Sequence, residues 1–317
     1  MKKIGILYGM EDSFPPALVE RINDLIASRG IPELRAESLH TGGVRMAVPC
    51  GYRLIVDRIS HDIPFYRSYL KNAVLTGTTV INNPFWWSAD DKFFNYALAS
   101  RLGIAIPPTI LLPHKQFPTG TTAKSMRNLE YPLDWESIFE YVGFPAFLKP
   151  HDGGGWRDVY RVDNAGDFFG AYDQSRDLCM TLQRGVNFSE YFRCYCINRE
   201  KVHIMRYDPR QPHHLRYIAG NPPPDPAMKE RLTKDSLTIC KALGYDLNTV
   251  EFAVEDGIPY AIDFMNPAPD AGLESVGPDN FQWIVDAVAE MAIEKALAPP
   301  TPPPLTWAAF LTESNVE

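Results

Sequence analysis

The sequence predicts an α/β protein that grades into α+β architecture, and three observations predict it. Short apolar runs alternate with helical periodicity over roughly the first 85 residues. A second strand-and-helix segment, interrupted by three consecutive glycines, runs to about residue 180. From there the pattern changes to long strands followed by helices. A chain of 317 residues is long enough for two or three subdomains with substantial cores.

The elements follow in order. Residues 4–8 read as a strand, and 9–13 as the loop after it. Pro15 and Pro16 can open a helix, Leu18, Ile22, Leu25 and Ile26 carry its periodicity, and Gly30 ends it. Residues 33–38, 53–59 and 80–81 read as strands, with a helix over 65–73. A helix over 90–102 has Ser88 as its expected cap and Gly103 as its stop. The strand 110–112, a long loop over 113–133, a helix over 135–142, the strands 146–149 and 159–162 and a helix over 167–174 complete the second segment. In the third, strands at 180–183, 191–197 and 202–207 precede a loop rich in Pro and His at 209–226. A helix over 227–243 stops at Gly244, and strands at 249–255 and 259–264 join through Asp256-Gly257, a hairpin signal. Residues 283–297 form a closing helix, and a Pro-rich tail follows as a linker or packed arm.

Composition excludes some classes. The formal charge of −8 is wrong for a general nucleic-acid binder, which needs excess Lys and Arg to neutralise phosphates. The Met1-Lys2-Lys3 start with its short apolar run meets Glu11 and Asp12 at once, so it reads as a first buried strand and not a signal peptide. No stretch approaches the length of a membrane span, and a cytoplasmic location is expected. Five cysteines without CxxC spacing suit reduced thiols; Cys194 and Cys196 share one side of a strand.

The chemistry lies in polar residues at strand ends. Lys149 closes an apolar strand, which is costly unless its ammonium meets an anion or water. Gly153, Gly154 and Gly155 follow; consecutive glycines let backbone N–H groups turn onto phosphate oxygens, and a flexible hairpin tip is the plain alternative. The segment Gln183, Arg184, Gly185, Val186 can present backbone groups and Val186 to an adenine, with Glu190 placed for ribose hydroxyls, or it is an exposed loop with a solvated Glu. Glu251 on one hairpin strand, with Asp263 and Asn266 at the end of the other, are hard oxygen ligands suited to Mg²⁺ bridging phosphates; unpartnered edge-strand acids are the alternative.

This ordered set resembles the ATP-grasp superfamily, especially its carboxylate–amine ligases, over roughly residues 75–295. Asp91-Lys92 and the segment 102–109 resemble the family's opening Lys and "LGIPxPPT" strand, 144–158 the Lys strand and glycine loop, 183–190 the adenine linker, and Glu251, Asp263 and Asn266 the metal-binding strands. The resemblance implies an ATP-grasp fold: an N-terminal pre-grasp α/β domain at 1–85, a central lid-bearing subdomain at 86–180, a C-terminal subdomain at 181–300 that clasps ATP with it, and the tail at 301–317. It implies ATP and Mg²⁺ as cofactors, Lys92 and Lys149 on the phosphates, and Arg193 and Arg206 facing the cleft as γ-phosphate or acyl-phosphate ligands, against the alternative of surface salt bridges.

Two departures stand out. The family ends in Glu-x-Asn, whereas Asp263 lies three residues before Asn266, so a regular strand points them to opposite faces unless a bulge intervenes. Trp156-Arg157-Asp158 also stands where many relatives carry a small hydroxyl residue. The activity implied is ligation of a small-molecule carboxylate to an amine, amino acids or short peptides fitting best; the rivals are a kinase-like phosphotransferase and a non-catalytic nucleotide-binding protein. Arg58, Asn82, Asn83 and the pair His213-His214 are the substrate-contact candidates, and a homodimer is the family-based expectation.

Overall fold

The computed structural model describes residues 1–86, 91–152, 154, 156–212, 215–218, 220, 222–299 and 304–305. Its first sheet is parallel, ordered β2-β1-β3-β4, from β1 (Lys2–Leu7), β2 (Leu34–Ser38), β3 (Leu54–Asp57) and β4 (Thr79–Ile81). The strands are apolar on both faces because α1 (Phe14–Ser28) covers one and α2 (Pro64–Leu75) the other. Pro15 and Pro16 lie in the first turn of α1, where a missing N–H costs nothing.

The second sheet is antiparallel, ordered β5-β8-β6-β7, from β5 (Thr109–Leu112), β6 (Ala146–Pro150), β7 (Tyr160–Val162) and β8 (Met180–Arg184). Alternation sorts its residues. Ala146, Leu148, Met180 and Leu182 pack with α4 (Trp135–Val142) and α5 (Ala165–Gln174), while Phe147, Lys149, Thr181 and Gln183 share the other face. Asp134 and Asn164 cap the two helices by accepting from Ser137 and Asp167 N–H groups.

The third sheet, ordered β10-β9-β11-β12, comprises β9 (Glu190–Ile197), β10 (Lys201–Arg206), β11 (Leu247–Glu255) and β12 (Ile258–Asp263). One face packs on α6 (Pro226–Leu243) and α3 (Lys92–Arg101) through Phe192, Cys194, Cys196 and Phe252. The other presents Tyr195, Ile197 and Leu247 to the core that also holds α1 and the closing helix α8 (Pro278–Leu297). The hairpin turn adopts the two positive φ values of a type I′ turn, 51° at Asp256 and 76° at Gly257. The four-residue α7 (Leu273–Val276) had no sequence signal. Among the described residues no helix is long and apolar enough to cross a membrane, and all five cysteines are free thiols. Of the tail, Leu305 packs against the N-terminal core cluster that holds Leu7, Ile55 and Leu70.

The α3 cap differs from expectation. Asp91 fills it, accepting from the Phe94 N–H at 3.0 Å; Ser88 lies outside the described residues. The chain leaves β8 through Gly185, whose N–H donates to Pro145 O at 2.7 Å. A Cβ at Gly185 would stand 2.7 Å from that carbonyl oxygen and 3.3 Å from its carbon. Gly185→Ala should therefore destabilise the protein by about 1–3 kcal/mol, the cost of overpacking against immovable backbone. Thermal unfolding checks this, and an unchanged midpoint contradicts it.

Candidate active site

A cleft opens between the polar face of the second sheet and the third sheet, and the elements deliver charged groups to it from both sides. Lys149 projects from β6 and donates to Tyr96 Oη at 2.7 Å and Gln183 Oε1 at 2.8 Å. Tyr96 Oη donates in turn to Ile262 O at 2.9 Å, and Gln183 Nε2 donates to Thr109 Oγ1 at 2.8 Å. Gln183 thus orients Lys149 and is itself held by β5. Lys92 is the first residue of α3, with its backbone N–H on His151 O at 2.7 Å, and its ammonium donates to Asp263 Oδ1 at 2.9 Å.

The carboxylates come from β11 and β12. Glu251 sits directly opposite Asp263 across the ladder because the register slips between Glu251 and Phe252, which pairs with Ala261. Ile262 is the extra residue. The bulge lies just before Asp263 and sets it opposite Glu251. Asn266 donates its backbone N–H to Asn248 Oδ1 at 3.0 Å, and its own Oδ1 accepts from the Ala268 N–H at 3.3 Å. Its side-chain oxygen thus makes a local contact that uses one of its two lone pairs.

Glu251 has two further neighbours on its face. Tyr191 donates to Oε2 at 2.6 Å, and Arg193 Nε stands 3.4 Å from Oε1. Arg193 Nη1 donates to Tyr217 Oη at 2.8 Å, and its Nε is buried with no hydrogen-bond partner. Arg206 departs from the expectation that both arginines face the cleft. It pairs in register with Phe192, whereas Arg193 pairs with Met205, so the two side chains leave opposite faces. Arg206 lies over the Phe192 ring and binds Glu190 Oε1 at 2.8 Å and Pro222 O at 2.8 Å. Glu190 is consequently held at the start of β9 by Arg206.

In the linker, Val186 packs against the cluster of Tyr191, Tyr207 and Ala253. Arg184 turns away to Glu255 at 2.7 Å, and Glu255 also accepts from the Asn187 N–H at 2.7 Å. Gly154 is exposed with open space about it, while Gly153 and Gly155 lie outside the described residues. Trp156 is exposed at φ 62° just beyond.

The substrate-contact candidates fare less well. Arg58 is buried, paired through Nε with Glu11 Oε2 at 2.8 Å and through Nη2 with Pro269 O at 2.6 Å, while its Nη1 is buried with no hydrogen-bond partner. Asn82 bridges the first and third sheets, donating to Leu247 O at 2.7 Å and accepting from the Asp246 and Leu247 N–H groups. Asn83 accepts from the Phe85 N–H in a local turn. His213 and His214 lie outside the described residues.

The electrostatics follow from this placement. Burial lowers the Lys149 ammonium to about 7, nearby Lys92 adds to the effect, and Asp263 and Glu251 only partly oppose it. Desolvation pushes the Asp263 carboxyl up, but Lys92 and Lys149 outweigh it and hold it below the ordinary value. Burial alone would lower the Arg193 guanidinium, yet Tyr217 and Glu251 beside it raise it. Burial and then Glu251 raise Tyr191 well above its ordinary value, so it remains a neutral donor. Among the described residues no three His, Cys, Asp or Glu side chains converge on one point. The protein supplies two carboxylates, which fits Mg²⁺, an ion commonly held by one or two carboxylates with phosphate and water completing its shell.

Sequence reasoning passed over Tyr96, Tyr191 and Tyr217. Tyr96 stands at i+4 from Lys92 and Tyr191 at i−2 from Arg193, spacings that place each on its partner's face. Nothing in the sequence marked Tyr217, which arrives from the loop after β10 by bridging to Tyr207.

A parallel α/β sheet with two antiparallel sheets and a cleft between the latter is the ATP-grasp fold, and this chain has it. The D-alanine–D-alanine ligase of Bacillus anthracis, in a structure complexed with ATP, matches 94% of this chain and 98% of its own, with TM-score 0.63 and 17% identity. The VanG D-Ala:D-Ser ligase of Enterococcus faecalis matches 93% of this chain and 99% of its own, with TM-score 0.63 and 13% identity. The ATP-grasp ligase PsnB, complexed with minimal precursor, Mg and ADP, matches over 93% and 98%, with TM-score 0.61 and 13% identity. No family model and no curated protein matches the sequence.

Proposed function

We propose that the chain is an ATP-dependent carboxylate–amine ligase, acting in the cytoplasm on amino acids or short peptides. The observation that carries this reading is the convergence of Lys149, Lys92 and Arg193 with Glu251 and Asp263 across one cleft, Lys92 joining the two sides at 2.9 Å. Residues 1–85 form the pre-grasp domain in this reading, with 86–180 and 181–300 the two halves that clasp the nucleotide. Val186 lies against adenine, Glu190 accepts from the ribose, and Lys92, Lys149 and the glycine loop Gly153, Gly154 and Gly155 hold the phosphates. Glu251 and Asp263 would hold Mg²⁺, which would offset phosphate charge. The PsnB complex with Mg and ADP supports that ligand set for a chain of this fold.

Two displacements make up the chemistry. A substrate carboxylate oxygen attacks the γ-phosphorus, the bond to the bridging oxygen breaks, and ADP leaves; Arg193 and Lys149 offset the charge that develops. A neutral amine then attacks the acyl-phosphate carbonyl, phosphate leaves with the bonding pair, and the amine loses a proton. No enzyme nucleophile is needed. The test is a screen of amino acids and dipeptides for ADP formation. Release of free phosphate only when carboxylate and amine are both present is the expected result. Phosphate retained on a product would establish a kinase instead, and absence of Mg²⁺–ATP binding would establish a non-catalytic protein.

A further inference from the structure

The two carboxylates of the cleft already have cationic neighbours without any ligand. Glu251 and Asp263 face each other across the β11–β12 ladder, and three cations surround them. Arg193 stands 3.4 Å from Glu251, Lys92 stands 2.9 Å from Asp263, and Lys149 acts on Asp263 and Glu251 from the opposite sheet. The Lys92 ammonium therefore takes one lone-pair direction of Asp263 Oδ1 and sets a like charge beside any metal ion on that carboxylate. Its position is built into the fold. Lys92 opens α3, its N–H is tied to His151 O, Asp91 caps the turn, and its side chain is only 12% exposed.

We propose that Lys92 is a place-holding cation that keeps free divalent metal off Asp263, so that metal enters the cleft only with nucleotide. The inference rests on the ligase reading above and specifies the order in which its ligands assemble. A free divalent ion on Asp263 would stand beside the Lys92 ammonium, with Arg193 close to Glu251, and would meet that repulsion without any phosphate to offset it. A triphosphate changes this. Lys92 can exchange Asp263 for a phosphate oxygen, keep an anionic partner, and release the carboxylate to the incoming metal. One side chain thereby makes metal affinity conditional on the nucleotide, a thermodynamic coupling that must be reciprocal.

The test uses Mn²⁺ as the probe and electron paramagnetic resonance of the full chain as the readout. Without nucleotide, Lys92→Met should bind Mn²⁺ more tightly than wild type by on the order of tenfold or more, since removing a like charge beside a carboxylate favours a bound cation. Lys92→Arg retains a cation and should behave as wild type. Adding Asp263→Asn to Lys92→Met should cancel the gain, which ties it to that carboxylate. Equal affinity in Lys92→Met, Lys92→Arg and wild type overturns the proposal. A parallel titration of wild type with Mn²⁺ and a non-hydrolysable ATP analogue separates the two readings. If that complex binds and Lys92→Met gains nothing, only the place-holding role falls. If it does not bind, the ligase reading falls and takes the place-holder with it.

Discussion

Replacing Lys149 with alanine is expected to abolish ATP-dependent turnover while leaving the fold intact. The side chain extends from β6 on the cleft face of the second sheet, and the apolar core of that sheet lies on the other face. Its partners, Tyr96 and Gln183, are both neutral, so its removal strands no buried charge. What is lost is a donor aimed where phosphate charge develops, and one such donor contributes about 10²–10³ in rate. Circular dichroism and thermal unfolding should be near wild type, and full activity would remove Lys149 from the site. The same lysine sets a pH dependence. Its free-protein value of about 7 means that at pH of about 8 most molecules carry it neutral, whereas a bound triphosphate favours the ammonium. The complex then holds more protons than the free protein, so ATP affinity should fall as pH rises through about 7, with proton uptake on binding. Calorimetry in buffers of different ionisation enthalpy measures that uptake, and Lys149→Met should lose it.

The second large effect is expected from Glu251→Gln. Glutamine keeps the shape on β11 and can still meet Tyr191, but it removes the negative charge that a divalent metal requires. Turnover should fall by at least about 10²–10³-fold, and the loss should not be recovered by raising Mg²⁺. Glu251→Ala should cost more in stability than the glutamine variant, because it leaves the buried Arg193 without its ion-pair partner and exposes a cavity in the face of the sheet. Comparing the two variants separates ligand loss from destabilisation. Turnover in the glutamine variant at the wild-type rate would show that Asp263 alone suffices for the metal.

Much of this architecture was legible before the structure. The α4 boundaries, Gly244 at the end of α6 in the left-handed conformation, and the Asp256-Gly257 hairpin all follow from local chemistry that a short window contains. So does the placement of Lys149 and Glu251, since alternation along one strand fixes its face. What could not be read depends on partners distant in sequence. Arg206 was assigned to the cleft from its own strand, but its face is decided by the β9–β10 register, which pairs it with Phe192. The contacts that hold Asn266, its N–H on Asn248 Oδ1 and its Oδ1 on the Ala268 N–H, likewise follow from no spacing in the sequence. The partners of Arg58, a substrate-contact candidate in the sequence, are invisible there because Glu11 and Pro269 lie 47 and 211 residues away along the chain.

The ownership of the apolar cores has a mechanical consequence. The first and third sheets share one core through α1 and α8, whereas the second sheet keeps a core of its own with α4 and α5. Contacts across the seam include polar links such as Lys149 with Tyr96, Arg184 with Glu255, and the Lys92 N–H with His151. Separating the middle lobe at those links would leave its apolar core buried, and of the three only the Arg184–Glu255 ion pair is a contact that salt screens. Opening at the seam should therefore respond to ionic strength through that pair, and Arg184→Met should remove the response.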